Sequence, residues 1–268
     1  MKHTFPYFPD KYKFESLITP KNFLEYIGKK NPFEKIGIPK LCLFTGNKQY
    51  FNIIKKKYPM RKIRITGSET YWFRVGKHIV LLVKNCGIGG PSFVHNSEEF
   101  IAFGIKNFII LGNTGGIKKD IKPGDILVCQ KAFRDEGLSH HYIKPSEYVS
   151  ASKKIIKLLE GELTKSKINF IRGKTWTTDT MYRETKEEIE IFQKKGITNV
   201  EMETASLFAL AKYRKVNAGA IYVVSDIYVV SNTLTGTKWD PQWKNKAMNE
   251  SINKTTNAVL KIISQLPD

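Results

Sequence analysis

The sequence lacks a long apolar run and the common phosphate-loop signatures. No stretch approaches the roughly 20 apolar residues that a membrane-spanning helix needs. The first 14 residues are aromatic, basic and interrupted by two prolines, unlike the apolar segment of a secretory signal. The patterns GxxxxGK[ST] and GxGxxG are both missing, which disfavours P-loop nucleotide hydrolysis and dinucleotide redox chemistry. We therefore expect a cytoplasmic protein with no membrane partner.

Cysteine is also scarce, because the chain carries only Cys42, Cys86 and Cys129. Their number is odd and none of them forms a CxxC pair, so neither a disulfide framework nor a zinc ribbon is indicated. Cys42 and Cys129 lie in apolar runs, where a reduced cysteine acts as a small hydrophobic side chain. No metal site is expected from these residues.

Acidic residues are few relative to basic ones, and the formal net charge is +19. Such a charge attracts polyanions, so nucleic acid is one candidate partner. The lysines and arginines are scattered along the chain, however, and no zinc-finger, leucine-zipper or aromatic RNA-binding pattern accompanies them. We therefore expect a solvated basic surface and no nucleic-acid partner, while a small anion such as phosphate would be attracted by the same charge.

Apolar strand-like runs alternate with helical patterns from residue 37 onwards, after an N-terminal arm and short helix over residues 1–36. Pro20 can open that short helix. The alternation predicts one α/β domain over residues 37–268, with a largely parallel sheet flanked by helices. Strands are predicted over residues 39–44, 78–85, 107–113, 124–133, 168–178 and 218–228, and helices over 52–58, 93–103, 187–195, 200–215 and 242–265.

Three predicted strands end in turns rich in glycine and other small residues, over residues 45–47, 86–90 and 112–116. Glycine lets backbone N–H groups approach an anion closely, although it also closes ordinary tight turns. Because ligands bind at the carboxyl ends of parallel strands, the three turns together indicate a ligand site at one edge of the sheet.

Acidic side chains stand in apolar surroundings at two places. Glu201 and Glu203 begin an apolar helical stretch, and Asp226 interrupts the apolar run YVVSDIYVV. A buried carboxylate is costly unless it is paired or used. Helix capping and a hydrogen-bonded strand end would explain these residues structurally. Alternatively, the glutamates would bind ribose hydroxyls and Asp226 would donate a proton to a departing base.

Several of these segments, taken in order, resemble the nucleoside phosphorylase superfamily. They are GIGGPS (87–92), LGNTGGI (111–117), KPGDILV (122–128), NVEMETASLFALA (199–211) and VVSD (223–226). The branch concerned includes the hexameric purine nucleoside phosphorylases and the uridine phosphorylases. The resemblance implies a single three-layer domain with a central mixed sheet, and a homo-oligomer that is a dimer or a hexamer. It implies no metal and no organic cofactor, with phosphate as the co-substrate.

The resemblance also assigns roles to individual residues. It places Asp226 as the acid that protonates a purine leaving group. It assigns the ribose to Glu201, Met202 and Glu203, and the base to Thr114, Gly115, Met181 and Tyr182. Phosphate would contact Gly46 and Asn113, with Lys48 and Arg134 as candidates for further contacts.

The chain departs from the family at two phosphate-binding positions. Tyr50 and Ile110 stand where well-known members carry arginines. Neutral side chains cannot replace the bidentate contacts of a guanidinium to phosphate. A similar pattern, RDEGxSxHY with TWTTDxxYRET, recurs in members described only as nucleoside phosphorylase-like, so the chain resembles a divergent branch.

These observations favour phosphorolysis of a nucleoside, with a purine preferred because of Asp226. The alternatives are a uridine phosphorylase, a nucleosidase that uses water, and a non-catalytic nucleoside-binding protein on the same fold. The nucleosidase is motivated by the missing arginines, and a nucleic-acid-binding module is supported by the charge alone.

Overall fold

The computed structural model describes residues 5, 6, 8, 10–65, 67–229, 238–241 and 245–267. Helices and strands alternate along these residues. The strands are β1 (Leu41–Phe44), β2 (Arg61–Ile65), β3 (Ser68–Val75), β4 (His78–Asn85), β5 (Asn107–Gly116), β6 (Ile126–Asp135), β7 (Tyr148–Ser150), β8 (Ile171–Thr178), β9 (Asn199–Glu201), β10 (Asn217–Val229) and β11 (Lys238–Pro241). The α-helices are α1 (Pro20–Tyr26), α2 (Lys48–Lys57), α3 (Gly90–Ala102), α4 (Lys153–Lys165), α5 (Lys186–Lys194), α6 (Thr204–Arg214) and α7 (Lys246–Lys261).

All eleven described strands belong to one mixed sheet, in the order β11-β10-β6-β8-β9-β5-β1-β4-β3-β2 with β7 beside β6. A further pairing of β10 with β5 closes the strands β10, β6, β8, β9 and β5 into a ring. β5 runs parallel to both β1 and β10, so the carboxyl ends of these strands meet at one edge of the sheet. Helices pack on this sheet, and α4, α6 and α7 all contact β10.

The predicted mixed α/β fold is confirmed, and all six predicted strands are present. Four of the five pairings among those six strands are parallel. The sheet is nevertheless less parallel than expected, because each of the five unpredicted strands adds an antiparallel pairing. β2, for example, has the charged sequence RKIRI and is largely exposed, so it gives no apolar signal.

The helix predicted over residues 200–215 is wrong at its start. Residues 199–201 form β9, and α6 begins at Thr204. Residues 199–211 form one mostly apolar stretch, in which periodicity alone cannot locate the change from strand to helix. The helix predicted over 242–265 is observed as α7, while residues 242–244 lie outside the described part of the chain.

The core runs through the sheet and both flanking sets of helices. The N-terminal segment contributes to it, since Leu24 of α1 and Phe33 are buried in the same cluster as β1 and β4. Residues 1–36 therefore do not form a free arm throughout, and the boundary at residue 36 stays a prediction. Cys42, Cys86 and Cys129 are buried and unpaired. Among the described helices, none has both the length and the apolar character required to cross a membrane.

Candidate functional site

A cavity of about 740 Å³ opens where β5, β9 and β10 end. Its wall is built from nine of the twelve predicted site residues together with eight others. The lining residues are Asn47, Gln49, Asn113, Thr114, Gly115, Met181, Tyr182, Glu184, Val200, Glu201, Met202, Glu203, Ser225, Asp226, Tyr228, Trp239 and Met248. This is the strand edge at which the sequence predicted a ligand site.

A β-bulge in β10 places Asp226 in the wall. β10 pairs with β5 residue by residue up to Val224 opposite Thr114, and then skips Ser225 so that Asp226 lies opposite Gly115. Bulges turn side chains to new directions at functional edges of sheets. A side chain at position 115 would crowd the acid, because a Cβ built on Gly115 would lie 3.1 Å from Asp226 Oδ2, closer than an ordinary van der Waals contact. Gly115 thus provides the space that Asp226 occupies.

Both oxygens of Asp226 accept hydrogen bonds from neighbouring side chains. The Ser225 hydroxyl donates to Oδ1 at 2.6 Å. The Trp239 indole N–H donates to Oδ2 at 2.8 Å from the adjacent strand β11. These two donors fix the carboxyl group at the cavity wall, where a ligand can reach it.

Glu201 caps helix α6 and orients the residues that follow it. Its Oε2 accepts from the backbone N–H groups of Glu203 and Thr204, each at 2.8 Å. The hydroxyl of Tyr222 donates to the same oxygen, and that of Thr177 donates to Oε1. The structural explanation considered for the glutamates therefore holds for Glu201. It lines the cavity, but its carboxylate is occupied by protein donors.

Glu203 differs, because it lies two residues further on at the start of α6 and faces the cavity. Its Oε1 accepts from the backbone N–H of Gly89 at 2.8 Å. Burial, and secondarily the charge of Glu201, raises the pKa of Glu203 to about 7. A carboxylate that is costly to ionise without a partner is suited to accept hydrogen bonds from ligand hydroxyls.

Glu184 and Tyr228 form a second polar pair on the wall near Asp226. The Tyr228 hydroxyl donates to Glu184 Oε2. The pKa of Glu184 is raised overall, chiefly by burial. The hydrogen bond from Tyr228 lowers it, and the nearby charge of Asp226 raises it further. Met181 and Tyr182 lie next to this pair and are 48% and 92% exposed, so they form the outer rim of the cavity.

Neutral amides line the part of the cavity next to helix α2. The Asn47 side chain caps α2 by accepting from the Gln49 backbone N–H at 2.7 Å. Gln49 Oε1 and Asn113 Oδ1 are buried and have no hydrogen-bond partner among the residues that the structure describes. Tyr50, at a position where the resemblance implies an arginine, is buried and donates from its hydroxyl to the Gly112 carbonyl at 2.8 Å.

Three predicted phosphate-binding residues do not line the cavity. Gly46 and Lys48 are exposed on either side of Asn47. Arg134 is only 4% exposed, and its guanidinium donates to Ser139 Oγ, Ser146 Oγ and the Lys144 carbonyl at 2.8–2.9 Å. The guanidinium therefore fixes the loop after β6 through these hydrogen bonds. Spacing alone could not show this, because the partners of Arg134 lie in the loop that follows β6, whose conformation the sequence does not give.

Eight lining residues were absent from the predicted site. Asn47, Val200 and Ser225 each precede or follow a predicted residue and could have been found from that position. Glu184 belongs to the TWTTDxxYRET segment, whose residues 182–184 are an alternative source of polar contacts to a uracil. Gln49 and Tyr228 stand near predicted residues without a pattern that marks them. Trp239 of β11 and Met248 of α7 also line the cavity. Such long-range contacts cannot be predicted from the local sequence.

The charge of the wall is one-sided within the described residues. Four carboxyl groups line the cavity, whereas no lysine or arginine does. The described chain also has no cluster of three histidine, cysteine or acidic residues that could hold a metal ion.

Comparisons with known proteins agree with the fold and the order of the segments. Residues 40–264 match the family described as the phosphorylase superfamily. A DeoD-type purine nucleoside phosphorylase of Caldanaerobacter subterraneus subsp. tengcongensis is 34% identical over 149 residues, which cover 55% of this chain and 64% of that relative. The match therefore spans just under two thirds of that relative's length.

Solved structures share the fold at lower identity. The crystal structure of uridine phosphorylase from Vibrio fischeri has a TM-score of 0.73 and 20% identity, covering 94% of this chain and 100% of that one. The 5'-methylthioadenosine/S-adenosyl homocysteine nucleosidase of Campylobacter jejuni has a TM-score of 0.70 and 17% identity, covering 86% and 100%. A phosphorylase and a nucleosidase therefore both adopt this fold.

Proposed function

The chain belongs to the phosphorylase superfamily, and from that premise we propose that it cleaves the N-glycosidic bond of a purine nucleoside. The proposed reaction is phosphorolysis, which converts a nucleoside and phosphate to the free base and ribose 1-phosphate. The observation that carries the proposal is that Glu203 and Asp226, supplied by different elements, line one cavity together with Met202. No metal or organic cofactor takes part in the proposed reaction.

The ribose is proposed to bind at the start of α6. Glu203 would accept hydrogen bonds from the two ribose hydroxyls, and Met202 would pack against the sugar. Glu201 contributes by fixing the backbone of Glu203, since it accepts that residue's N–H. Ribose hydroxyls would supply donors to a carboxylate whose burial is otherwise unfavourable.

The base is proposed to lie against Thr114 and Gly115, with Met181 and Tyr182 closing the outer side. Asp226, in its protonated form, would donate its proton to N7 of the purine as the bond from C1′ to the base nitrogen breaks. The bonding electrons pass to the base, which leaves as a neutral molecule. A phosphate oxygen forms the new bond to C1′, where positive charge develops in the transition state.

The phosphate is proposed to sit near Gln49 and Asn113, at the N-terminal end of α2. Backbone N–H groups at a helix N-terminus favour anions, and Gly46 and Lys48 belong to the same turn. Arg134 is not included in this proposal, because its guanidinium is bound to the loop after β6.

Hydrolysis is the second candidate, and one observation favours it. The described cavity wall carries no cationic side chain, and two of its amide oxygens are buried without a hydrogen-bond donor. Such acceptors suit a water molecule better than a phosphate, which offers mainly acceptor oxygens.

One assay separates the candidates: base release from adenosine, inosine and uridine, measured with and without phosphate. Phosphate-dependent release supports phosphorolysis, phosphate-independent release supports hydrolysis, and binding without release supports a non-catalytic binding protein. Release from uridine alone would contradict the purine assignment. Asp226→Asn should abolish purine release, whereas Asp120→Asn, at an exposed position, should leave it unchanged.

We also propose that the protein is a homo-oligomer, a dimer or a hexamer. The N-terminal segment exposes large apolar side chains that a monomer would leave in water. Leu17, Ile18 and Tyr26 are 101%, 77% and 88% exposed. Clustered exposed apolar residues of this kind are typical of association surfaces. Light scattering on the eluting peak of a size-exclusion column tests this, and a monomeric mass would contradict it.

A further inference from the structure

Glu184 is a half-buried acid in the cavity wall for which the proposed reaction has no use. It precedes α5, it lines the cavity, and the Tyr228 hydroxyl donates to its Oε2. A hydroxyl donated to one oxygen leaves the lone pairs of the other carboxylate oxygen for a ligand. Glu184 therefore presents a hydrogen-bond acceptor rather than a donor to whatever occupies the cavity.

Glu184 and Asp226 lie near each other in the cavity wall. Asp226 and Tyr228 are two residues apart on β10, and side chains at that spacing point to the same face of a strand. Trp239 lies opposite Tyr228 on β11 and donates to Asp226. Tyr228 in turn donates to Glu184, so side chains of the paired strands β10 and β11 hold both carboxyl groups.

We infer that Glu184, held by Tyr228, forms a hydrogen bond with the substituent at position 6 of the purine. The substrate class would then be the 6-aminopurine ribosides. The inference rests on the proposed function, in which Asp226 meets N7. Position 6 is the neighbouring position on the same edge of the purine. Glu184 accepts a hydrogen bond from an amino group there.

A 6-oxopurine cannot make this contact, because its oxygen at position 6 is also an acceptor. With a 6-oxopurine, the oxygen at position 6 and the Glu184 carboxylate are both acceptors, so no hydrogen bond forms between them. The carboxylate then has no donor from the ligand. A hydrogen bond to a charged group is worth about 1.5–3 kcal/mol, or about 10- to 100-fold in kcat/KM. The wild-type protein is therefore expected to prefer adenosine over inosine by about that factor.

Replacing Glu184 with glutamine tests the inference with little change of shape. In Glu184→Gln the Tyr228 hydroxyl can still donate to the amide oxygen, which turns the amide N–H groups toward the base. The ratio of kcat/KM for adenosine to that for inosine should fall at least about 10-fold. Tyr228→Phe keeps the Glu184 carboxylate but removes the hydrogen bond that holds it, so it should lower the ratio less than Glu184→Gln does. Glu187→Gln, at an exposed position nearby, should leave the ratio unchanged.

Binding of the free bases keeps the two proposals distinguishable. Calorimetric titration with adenine and hypoxanthine should show the same preference in the wild type and its loss in Glu184→Gln. If both ribosides are cleaved and the ratio does not depend on residue 184, the inference is overturned while the proposed function stands. If the wild type binds neither base and cleaves neither riboside, both are overturned. A wild-type preference for inosine also overturns the inference.

Discussion

Removing the charge of Glu203 should stabilise the protein above neutral pH while it damages ribose binding. Burial and the neighbouring Glu201 raise the pKa of Glu203 from its ordinary 4.5 to about 7. Between these two pH values the unfolded chain releases its proton while the folded chain retains it. The contribution of Glu203 to the free energy of unfolding therefore decreases as pH rises from about 4.5 to about 7. Glutamine cannot ionise, so Glu203→Gln should not show this loss.

The magnitude follows from the size of the shift. At about 1.4 kcal/mol per pH unit, the rise from 4.5 to about 7 corresponds to at most about 3.5 kcal/mol above pH 8. Because Glu201 and Glu203 influence each other's ionisation, a gain of about 1–2 kcal/mol is the working expectation. For a chain of this size that is a rise in Tm of roughly 3–6 °C. The Gly89 N–H retains its acceptor, since glutamine keeps one side-chain oxygen.

The assay is thermal unfolding of wild type and Glu203→Gln at pH 5, 6, 7 and 8. The difference in Tm should be small at pH 5, widen between pH 5 and 7, and level off near pH 8. Glu250→Gln, at an exposed position on α7, provides the matched control and should show no such trend. A Tm difference for Glu203→Gln that is constant over this range, or of the opposite sign at pH 8, would refute the reasoning.

Two further substitutions test the construction of the site. In Gly115→Ala the new Cβ would lie 3.1 Å from both Asp226 Oδ2 and Val200 Cγ1, so base release should fall at least about 10-fold with the fold retained. Gly161→Ala on α4 meets nothing within 4 Å and should keep full activity; equal activity in both would show that Asp226 needs no such space. Arg134→Met should destabilise the protein by about 2–4 kcal/mol in urea unfolding, because buried acceptors lose their donor. Its KM for phosphate should be unchanged, and a raised KM with normal stability would return Arg134 to the phosphate site.

The sequence reveals the centre of this fold better than its edges. The six strands predicted from apolar runs form the inner part of the sheet, where both faces are covered and alternation disappears. β2 and β11 carry exposed side chains, and β9 merges into the apolar run of α6, so none of them gives a separable pattern. The edge strands β2 and β11, and the three-residue β9 between β8 and β5, are held by tertiary pairing rather than by local preference.

The candidate site shows the same division. Asp226 and Glu203 could be predicted because a carboxylate within an apolar run is conspicuous. Glu201 could not be separated from Glu203 by sequence, since only the coordinates show that protein donors occupy its carboxylate. Arg134 was expected at the phosphate because its charge suits the anion. Its guanidinium is instead hydrogen-bonded to the loop after β6, and the conformation of that loop cannot be predicted from the sequence.

Calorimetric titration of adenosine and adenine against wild type and Glu203→Gln tests the central claim most directly. If Glu203 holds the sugar while the base binds beside Asp226, adenosine affinity should fall about 10-fold or more in the variant. Adenine affinity should stay within about twofold of wild type, because the base does not contact Glu203. An equal loss for adenosine and adenine would contradict the account.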